Sequence, residues 1–337
     1  MKKNLQRSLI GLQALLPFSV LALDQIPTLN RPVPYEGQLG NFELWGQYDY
    51  SGKDLDFVGA ISPEDTSYIE QHTNILAGLN LGVYKGLQLR YNYLYSEQSA
   101  VRAVEPMNIN TEYDGHDVRV QYSWDFSPSW LLNVQAGFRN HSITPLGFLE
   151  YDINNIHIES LDGSPVLSIS SSDSAYLFGA SLTKAFAQDV QITLGLEGRF
   201  VDVNANFNSS LLSDPVLANI LQDEIPQQTP WQEQHMVVTA AFEWHVWKPF
   251  SVAMDFKHYQ IWRENYQPKA GKQDYNNNQQ FDFYLFANVY KGLTLYGHAQ
   301  IMTHYLLGDV PLAYNTRTNH RFDQVYGFLS GGLTYRF

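Results

Sequence analysis

The stretch Asp323–Phe337 reads DQVYGFLSGGLTYRF, and at period two its residues separate into two unlike faces. One face carries Val325, Gly327, Leu329, Gly331, Leu333, Tyr335 and Phe337; the other carries Gln324, Tyr326, Phe328, Ser330, Gly332, Thr334 and Arg336. Successive side chains of a strand point to opposite faces, so this stretch makes a strand that is apolar on one side only. The end of a soluble domain is normally frayed and polar. The closing strand of a transmembrane barrel must instead be apolar toward lipid, while its lumen face is free to be polar.

Working outward, alternating segments pair across tight turns at 83–87 (VYKGL), 126–130 (FSPSW), 184–189, 247–250 (WKPF) and 289–293 (VYKGL), and longer polar stretches lie between the pairs. Five short turns and six long loops require twelve strands, read here as 41–50, 72–83, 87–97, 115–126, 130–140, 174–184, 189–201, 234–246, 250–261, 280–290, 293–305 and 323–337. Most reach the roughly 9–11 residues that a tilted membrane strand needs. The fold class is therefore all-β: a 12-stranded antiparallel transmembrane β-barrel with short periplasmic turns and long extracellular loops. The lipid faces are clearest at Leu87 to Tyr95, Val118 to Phe126 and Val190 to Phe200. In the sixth strand Tyr176, Phe178, Ala180 and Leu182 are read as facing out. Aromatics near the short turns (Tyr84, Phe126, Trp130, Phe250, Tyr290, Tyr335, Phe337) form one girdle, and Tyr48, Tyr50, Tyr95, Tyr259 and Trp262 the other. The repeated VYKGL is one turn solution used twice, with glycine supplying a positive φ. A soluble β-sandwich explains neither the turn asymmetry nor the terminal aromatic.

The N-terminus gives the same address. Lys2, Lys3 and Arg7 precede an apolar run, Leu9 to Leu21, that is too short to span a bilayer; Val20 and Ala22 occupy the small-residue positions of a cleavage site. Residues 1–22 are thus read as a signal peptide, 23–38 (with Pro27, Pro32 and Pro34) as an extended periplasmic lead-in, and 39–337 as the barrel. Without cysteine there is no disulfide framework, thiolate metal site or thiol nucleophile. Removing the three basic residues of the signal takes the formal charge from −13 to −16, which argues against nucleic acid as a partner. Aromatic residues reach 14%, as expected where aromatics crowd two membrane interfaces.

Two loops carry patterns of their own. Ile156–Ser170 alternates on both sides of Asp162-Gly163, a hairpin signal that extends the fifth and sixth strands or folds inward. Ser213-Asp214-Pro215 opens a short helical stretch through Leu221, either a plug, an outer cap or ordinary loop packing. The faces opposite lipid supply the lumen-lining candidates: Glu43, Arg90, Arg119, Arg139, Glu197, Arg199, Glu243, Asp255, Lys257, Asp282 and His298. Both signs occur, which points to a paired network or a weakly selective polar channel rather than a single-sign ring. The segments 51–66, 97–114, 141–173 and 202–233 carry formal charges of about −3, −3, −5 and −5; an acidic vestibule of this kind concentrates cations, and divalent ions bridging lipopolysaccharide would equally accommodate it.

Catalytic patterns do not assemble. A lipase of the outer-membrane phospholipase kind needs His and Ser two apart on one lipid-facing strand, and His141-Ser142 are adjacent. Asp114 and His116 form half of an omptin-like arrangement, without an identifiable opposing acidic pair. His72, His116, His235 and His304 are placed near the outer rim, and no metal-ligand spacing occurs. No enzyme activity and no cofactor are expected.

Ser330, Gly332, Tyr335 and Phe337 together resemble the C-terminal signal of bacterial outer-membrane proteins: a polar residue, glycine, then aromatics at the antepenultimate and last positions. The resemblance implies recognition by the barrel-assembly machinery and a place among outer-membrane lipid and lipopolysaccharide. Twelve strands ending in GLTYRF, Gly332 to Phe337, also look like the translocator domain of autotransporters, particularly the solitary barrels that lack a passenger. Expected functions are thus a polar, weakly cation-preferring channel, an autotransporter-like translocator, or a surface-binding barrel acting through 141–173 and 202–233. The oligomeric state is left open.

Overall fold

The computed structural model describes residues 41–52, 67–102, 107–148, 150–153, 156–159, 167–186, 189–209, 215, 230–247, 249–264, 276–303 and 326–337. Its strands are β1 (Phe42–Gly52), β2 (Ser67–Tyr84), β3 (Leu87–Arg102), β4 (Met107–Ser127), β5 (Trp130–Phe148), β6 (Glu150–Ile153), β7 (Ile156–Glu159), β8 (Leu167–Ala185), β9 (Val190–Ser209), β10 (Trp231–Trp247), β11 (Phe250–Glu264), β12 (Asn277–Tyr290), β13 (Leu293–Met302) and β14 (Tyr326–Arg336). Twelve of them, all but β6 and β7, close into one antiparallel barrel in which each strand pairs with its sequence neighbours in the ring.

The closing stretch pairs on both edges. β14 runs against β13 from Leu293↔Tyr335 to Met302↔Tyr326, and against β1 from Glu43↔Arg336 to Tyr50↔Leu329. Glu43 fastens this seam. Its carboxylate accepts from Arg336 Nη2 at 2.6 Å and Nε at 3.1 Å on one side, and from Asn80 Nδ2 at 3.0 Å on the other.

The outer surface is an apolar band. Leu194 is 60% exposed and Phe178 54%, and Val118, Val120, Tyr122, Trp124, Leu285 and Leu333 are exposed with them. An apolar surface this continuous has no place in water and needs lipid around it. The alternating burial of β10, from Trp231 to Trp247, shows the parity that produces it.

Both VYKGL turns place glycine at positive φ: Gly86 at 77° and Gly292 at 81°. A Cβ there would collide with the carbonyl of Ser123 or of Arg336, so the sequence has one choice at each. A one-residue register shift precedes four of the short turns, at Gly82/Tyr84, Asp125/Ser127, His245/Trp247 and Asn288/Tyr290. Such bulges sharpen the local twist where the chain reverses.

Several strands run further than the sequence indicates. β4 has 21 residues and β9 has 20, whereas β13 has 10 and β14 has 11. Among the described residues the strands of the wall are thus longer at β4 and β9 than at β13 and β14. Apart from the barrel, β6 pairs with β7 from Glu150↔Glu159 to Ile153↔Ile156. β8 meanwhile begins at Leu167 and pairs with β5 and β9. Asp162-Gly163 itself, the stretch 216–221, and residues 1–40 with their signal and lead-in lie outside the described residues.

Candidate functional site in the barrel lumen

Strand parity decides which side chains meet inside. Glu43, Arg90, Arg139, Glu197, Arg199, Glu243, Asp255, Asp282 and His298 are all buried, on the face opposite the lipid band. Arg119 and Lys257 lie half-buried on the same faces. Gly332, Tyr335 and Phe337 do not share a site with them: Tyr335 and Phe337 are exposed on the outside, and Gly332 faces in beneath a tyrosine ring.

The wall formed by β3, β4, β5, β8 and β9 is organised around Arg119. Its guanidinium donates to Asp117 on its own strand at 2.8 Å and reaches Glu197 on β9 at 2.8 Å. Gly137 lies under the arginine stem, and any Cβ there would sit 2.8 Å from Arg119 Cγ. Glu197 also accepts from Gln135 Nε2 at 2.7 Å and from Arg199 Nε at 2.6 Å. Arg90 stands directly opposite Arg119 in the β3–β4 ladder, and Arg139 directly opposite Asp117 in the β4–β5 ladder. Around this group is a cavity of about 110 Å³. Five cationic side chains line it (Arg90, Arg119, Arg139, Arg199, Lys257) against two carboxylates (Asp117, Glu197). Toward the short-turn end the wall continues as a neutral hydrogen-bonded chain through Gln121, Asn133, Ser123 and Ser181.

The opposite wall, β10 to β14 with β1, is packed instead. Asp282 accepts from Gln280 at 2.7 Å, Gln300 at 2.8 Å and His298 at 2.9 Å, with Lys257 Nζ at 3.7 Å. His298 stacks flat on Tyr284, with ring centres 4.1 Å apart and planes 3° from parallel, and Tyr284 stacks on Phe286. Trp45, Ala253 and Tyr296 complete an apolar cluster inside the barrel. Tyr296 crosses over Gly332, where it donates to Gln47 Oε1 at 3.1 Å. The space over Gly332 on the closing strand is therefore filled by a ring from the neighbouring strand β13. Trp45 covers Gly78 in the same way. Sequence reasoning missed these ring-over-glycine pairs, because partners such as Tyr296 and Gly332 are matched only once the register is known.

Several placements differ from the sequence reading. Tyr259 belongs to the lumen, not to an aromatic girdle: it is 1% exposed, donates to Gln280 Oε1 at 3.0 Å and carries the Arg199 guanidinium over its ring. It shares parity with Asp255 and Lys257, and parity outweighs the aromatic's affinity for an interface. The three described histidines of the expected rim, His72, His116 and His235, do not share one. His72 and His235 are buried inside, His116 is exterior beside Tyr91 and Tyr93, and His304 lies outside the described residues. Asp173 and Glu233, counted among acidic loops, are buried strand residues. Asp173 meets His141 at 3.1 Å; Glu233 meets Arg263 at 3.0 Å and His235 at 2.8 Å. Their charge is spent inside the wall rather than in a vestibule. On the exterior, Ser142 Oγ donates to Asp114 Oδ1 at 2.9 Å, while His116 Nδ1 shares a hydrogen bond with Tyr91 Oη. The serine hydroxyl is thus committed to the carboxylate rather than to the imidazole. Among the described residues, no group of three or more His, Asp or Glu is placed to hold a metal ion.

No protein-family model and no curated protein matches the sequence. Solved structures do match its fold. The translocator domain of the autotransporter NalP from Neisseria meningitidis is similar at a TM-score of 0.50 and 10% identity, over 99% of this chain and 98% of that one. An outer membrane channel from Pseudomonas putida F1 is similar at a TM-score of 0.46 and 10% identity, over 93% and 100%. The transport unit of the autotransporter AIDA-I from Escherichia coli is similar at 0.46 and 9% identity, over 96% and 97%. The fold is that of bacterial outer-membrane barrels.

Proposed function

We propose that this chain is an integral outer-membrane barrel that forms a polar channel for small solutes. The observation carrying this reading is the charged cavity of about 110 Å³ in the lumen of a closed barrel. A twelve-stranded cylinder lies between small barrels filled by side chains and large porins with open channels, and this one packs one wall while leaving space at the other. In this reading residues 1–22 direct export, 23–38 lead in from the periplasm, and Gly332, Tyr335 and Phe337 present the closing strand to the barrel-assembly machinery. Outer-membrane lipid and lipopolysaccharide then surround the apolar band. The lumen residues act as binding and filtering groups, not as catalysts.

Planar bilayers test it. Purified barrel is expected to give discrete conductance steps, larger when 211–229 between β9 and β10 is deleted. Bilayers that stay silent with both that segment and 160–166 removed would sink the channel reading. They would favour a translocator, testable by surface display of a passenger fused at Leu23, or a loop-mediated binding role.

A further inference from the structure

The short-turn rim carries a cation on the side that faces lipid. The outward parity of β8 runs Tyr176, Phe178, Ala180, Leu182 and then Lys184, with Phe186 next in the same series. Lys184 stands directly opposite Trp130 in the β5–β8 ladder. Its ammonium lies 4.6 Å from the centre of the Trp130 ring and 5.2 Å from that of Phe186. Trp130 stacks on Phe126, and Phe126 tilts against Trp124. A charge on the lipid face is unfavourable at mid-membrane depth but tolerated at the interface, where aromatic rings also gather. The two rings fix the ammonium there by cation–π attraction, and lysine lays its apolar stem along the wall to reach that depth. Among the described residues, Lys184 Nζ has no oxygen acceptor and no carboxylate at ion-pair distance. Asp125, an acid of the same rim, lies in the field of Lys85 rather than of Lys184. The half-buried ammonium thus keeps three donors for an anionic oxygen.

We propose that Lys184, with Trp130, Phe126 and Phe186, is a headgroup site for an anionic glycerophospholipid of the periplasmic leaflet. The lipid phosphate sits on the ammonium, and its acyl chains run up the wall over Leu132, Val134 and Leu182. These are the outward residues beside the site: Leu132 pairs with Leu182, and Val134 is 45% exposed. Depth and sign both fit this occupant. The site lies at the end of the apolar band, level with the short turns, where phosphates of that leaflet meet the rings. Lys85 and Lys291, exposed in the two VYKGL turns, give the rest of the rim the same sign. A choline headgroup suits the site less well, because it brings a second cation to rings that already hold Lys184. A glycerol headgroup brings none. The proposal does not depend on whether the lumen conducts.

Native mass spectrometry of the full barrel, released from nanodiscs of equimolar phosphatidylglycerol and phosphatidylcholine, tests it. The barrel is expected to retain phosphatidylglycerol over phosphatidylcholine by about fivefold, the effect of one lysine at an anionic surface. Lys184→Gln, checked for folding by heat-modifiable gel mobility, is expected to bring that ratio close to unity, and Lys184→Arg to keep it. Lys291→Gln removes an equal charge elsewhere on the rim and is expected to leave the ratio unchanged. Equal retention of the two lipids by the unaltered barrel overturns the site, as does a ratio that survives Lys184→Gln. Equal losses from Lys184→Gln and Lys291→Gln also overturn it, since they mean a diffuse rim charge. Inorganic phosphate at millimolar concentration is expected not to displace the lipid, because the acyl chains hold it; displacement overturns the assignment to a lipid. If Lys184→Gln does not fold, Phe186→Leu decides: the charge stays while one ring is lost, and the ratio is expected to fall by about twofold. An unchanged ratio there overturns the site.

Discussion

The two walls of the lumen are made from similar residue types and solve the same problem differently. On β3 to β9, long polar side chains lie across small residues, Arg119 over Gly137 and Gln135 over Gly179, and the charge network leaves a cavity. On β10 to β14 and β1, rings lie across small residues, Tyr296 over Gly332 and Trp45 over Gly78, and the stack of His298, Tyr284 and Phe286 fills the space. Flat rings pack to interior density. The difference shows that the open side of a barrel this narrow follows from which residues lie over the small positions, not from strand number.

Removing the hub of the charged wall has the largest expected effect. Arg119→Gln leaves Asp117 and Glu197 without their main counter-ion and is expected to destabilise the barrel by about 3–5 kcal/mol, read as a lower urea midpoint in detergent or lipid. Tyr296→Ala attacks the packed wall by uncovering Gly332 and removing the ring against Phe286. A loss of about 2–4 kcal/mol is expected, together with a larger unit conductance if that wall keeps the lumen narrow. Gly137→Ser puts a side chain under the Arg119 stem and is expected to cost about 1–3 kcal/mol, read as a lower urea midpoint, as Arg119 is displaced from Glu197. The smallest effect sharpens the comparison most. If the walls are independent, Arg119→Gln and Tyr296→Ala combine additively to within about 0.5 kcal/mol; a larger coupling would mean that the two sides form one network.

Much of this was legible in the sequence. The number of strands, the short turns, the positive-φ glycines and the lipid faces all follow from alternation and turn chemistry, as at Val118 to Phe126 or Gly86. The outward reach of β4 and β9 was not, because beyond the lipid band the alternation changes phase: in β9 the apolar residues pass from the outward parity of Leu194 to the inward parity of Val201 and Val203, which are buried while Asp202 and Asn204 are exposed. Tyr259 misled because aromatic identity suggested an interface where parity put the ring inside. The cavity was hidden for another reason. Arg90, Arg119, Arg139 and Arg199 lie on four strands, and only strand order and stagger bring them together.

The seam at Glu43 has a kinetic consequence. Every other ladder in the ring joins strands that follow one another along the chain, with only the β6–β7 pair inserted between β5 and β8, and can form while the rest is still arriving. The ladder between β1 and β14 joins residues as far as 293 positions apart, and it cannot begin until all the others exist. Until then the sheet has two open edges, each a template for mispairing. Glu43 is already held by Asn80 on its own side, so its second oxygen waits, oriented, for Arg336. The pair therefore acts on the order of events as much as on the final stability: weakening it would prolong the life of an open, unclosed sheet before it altered the finished barrel.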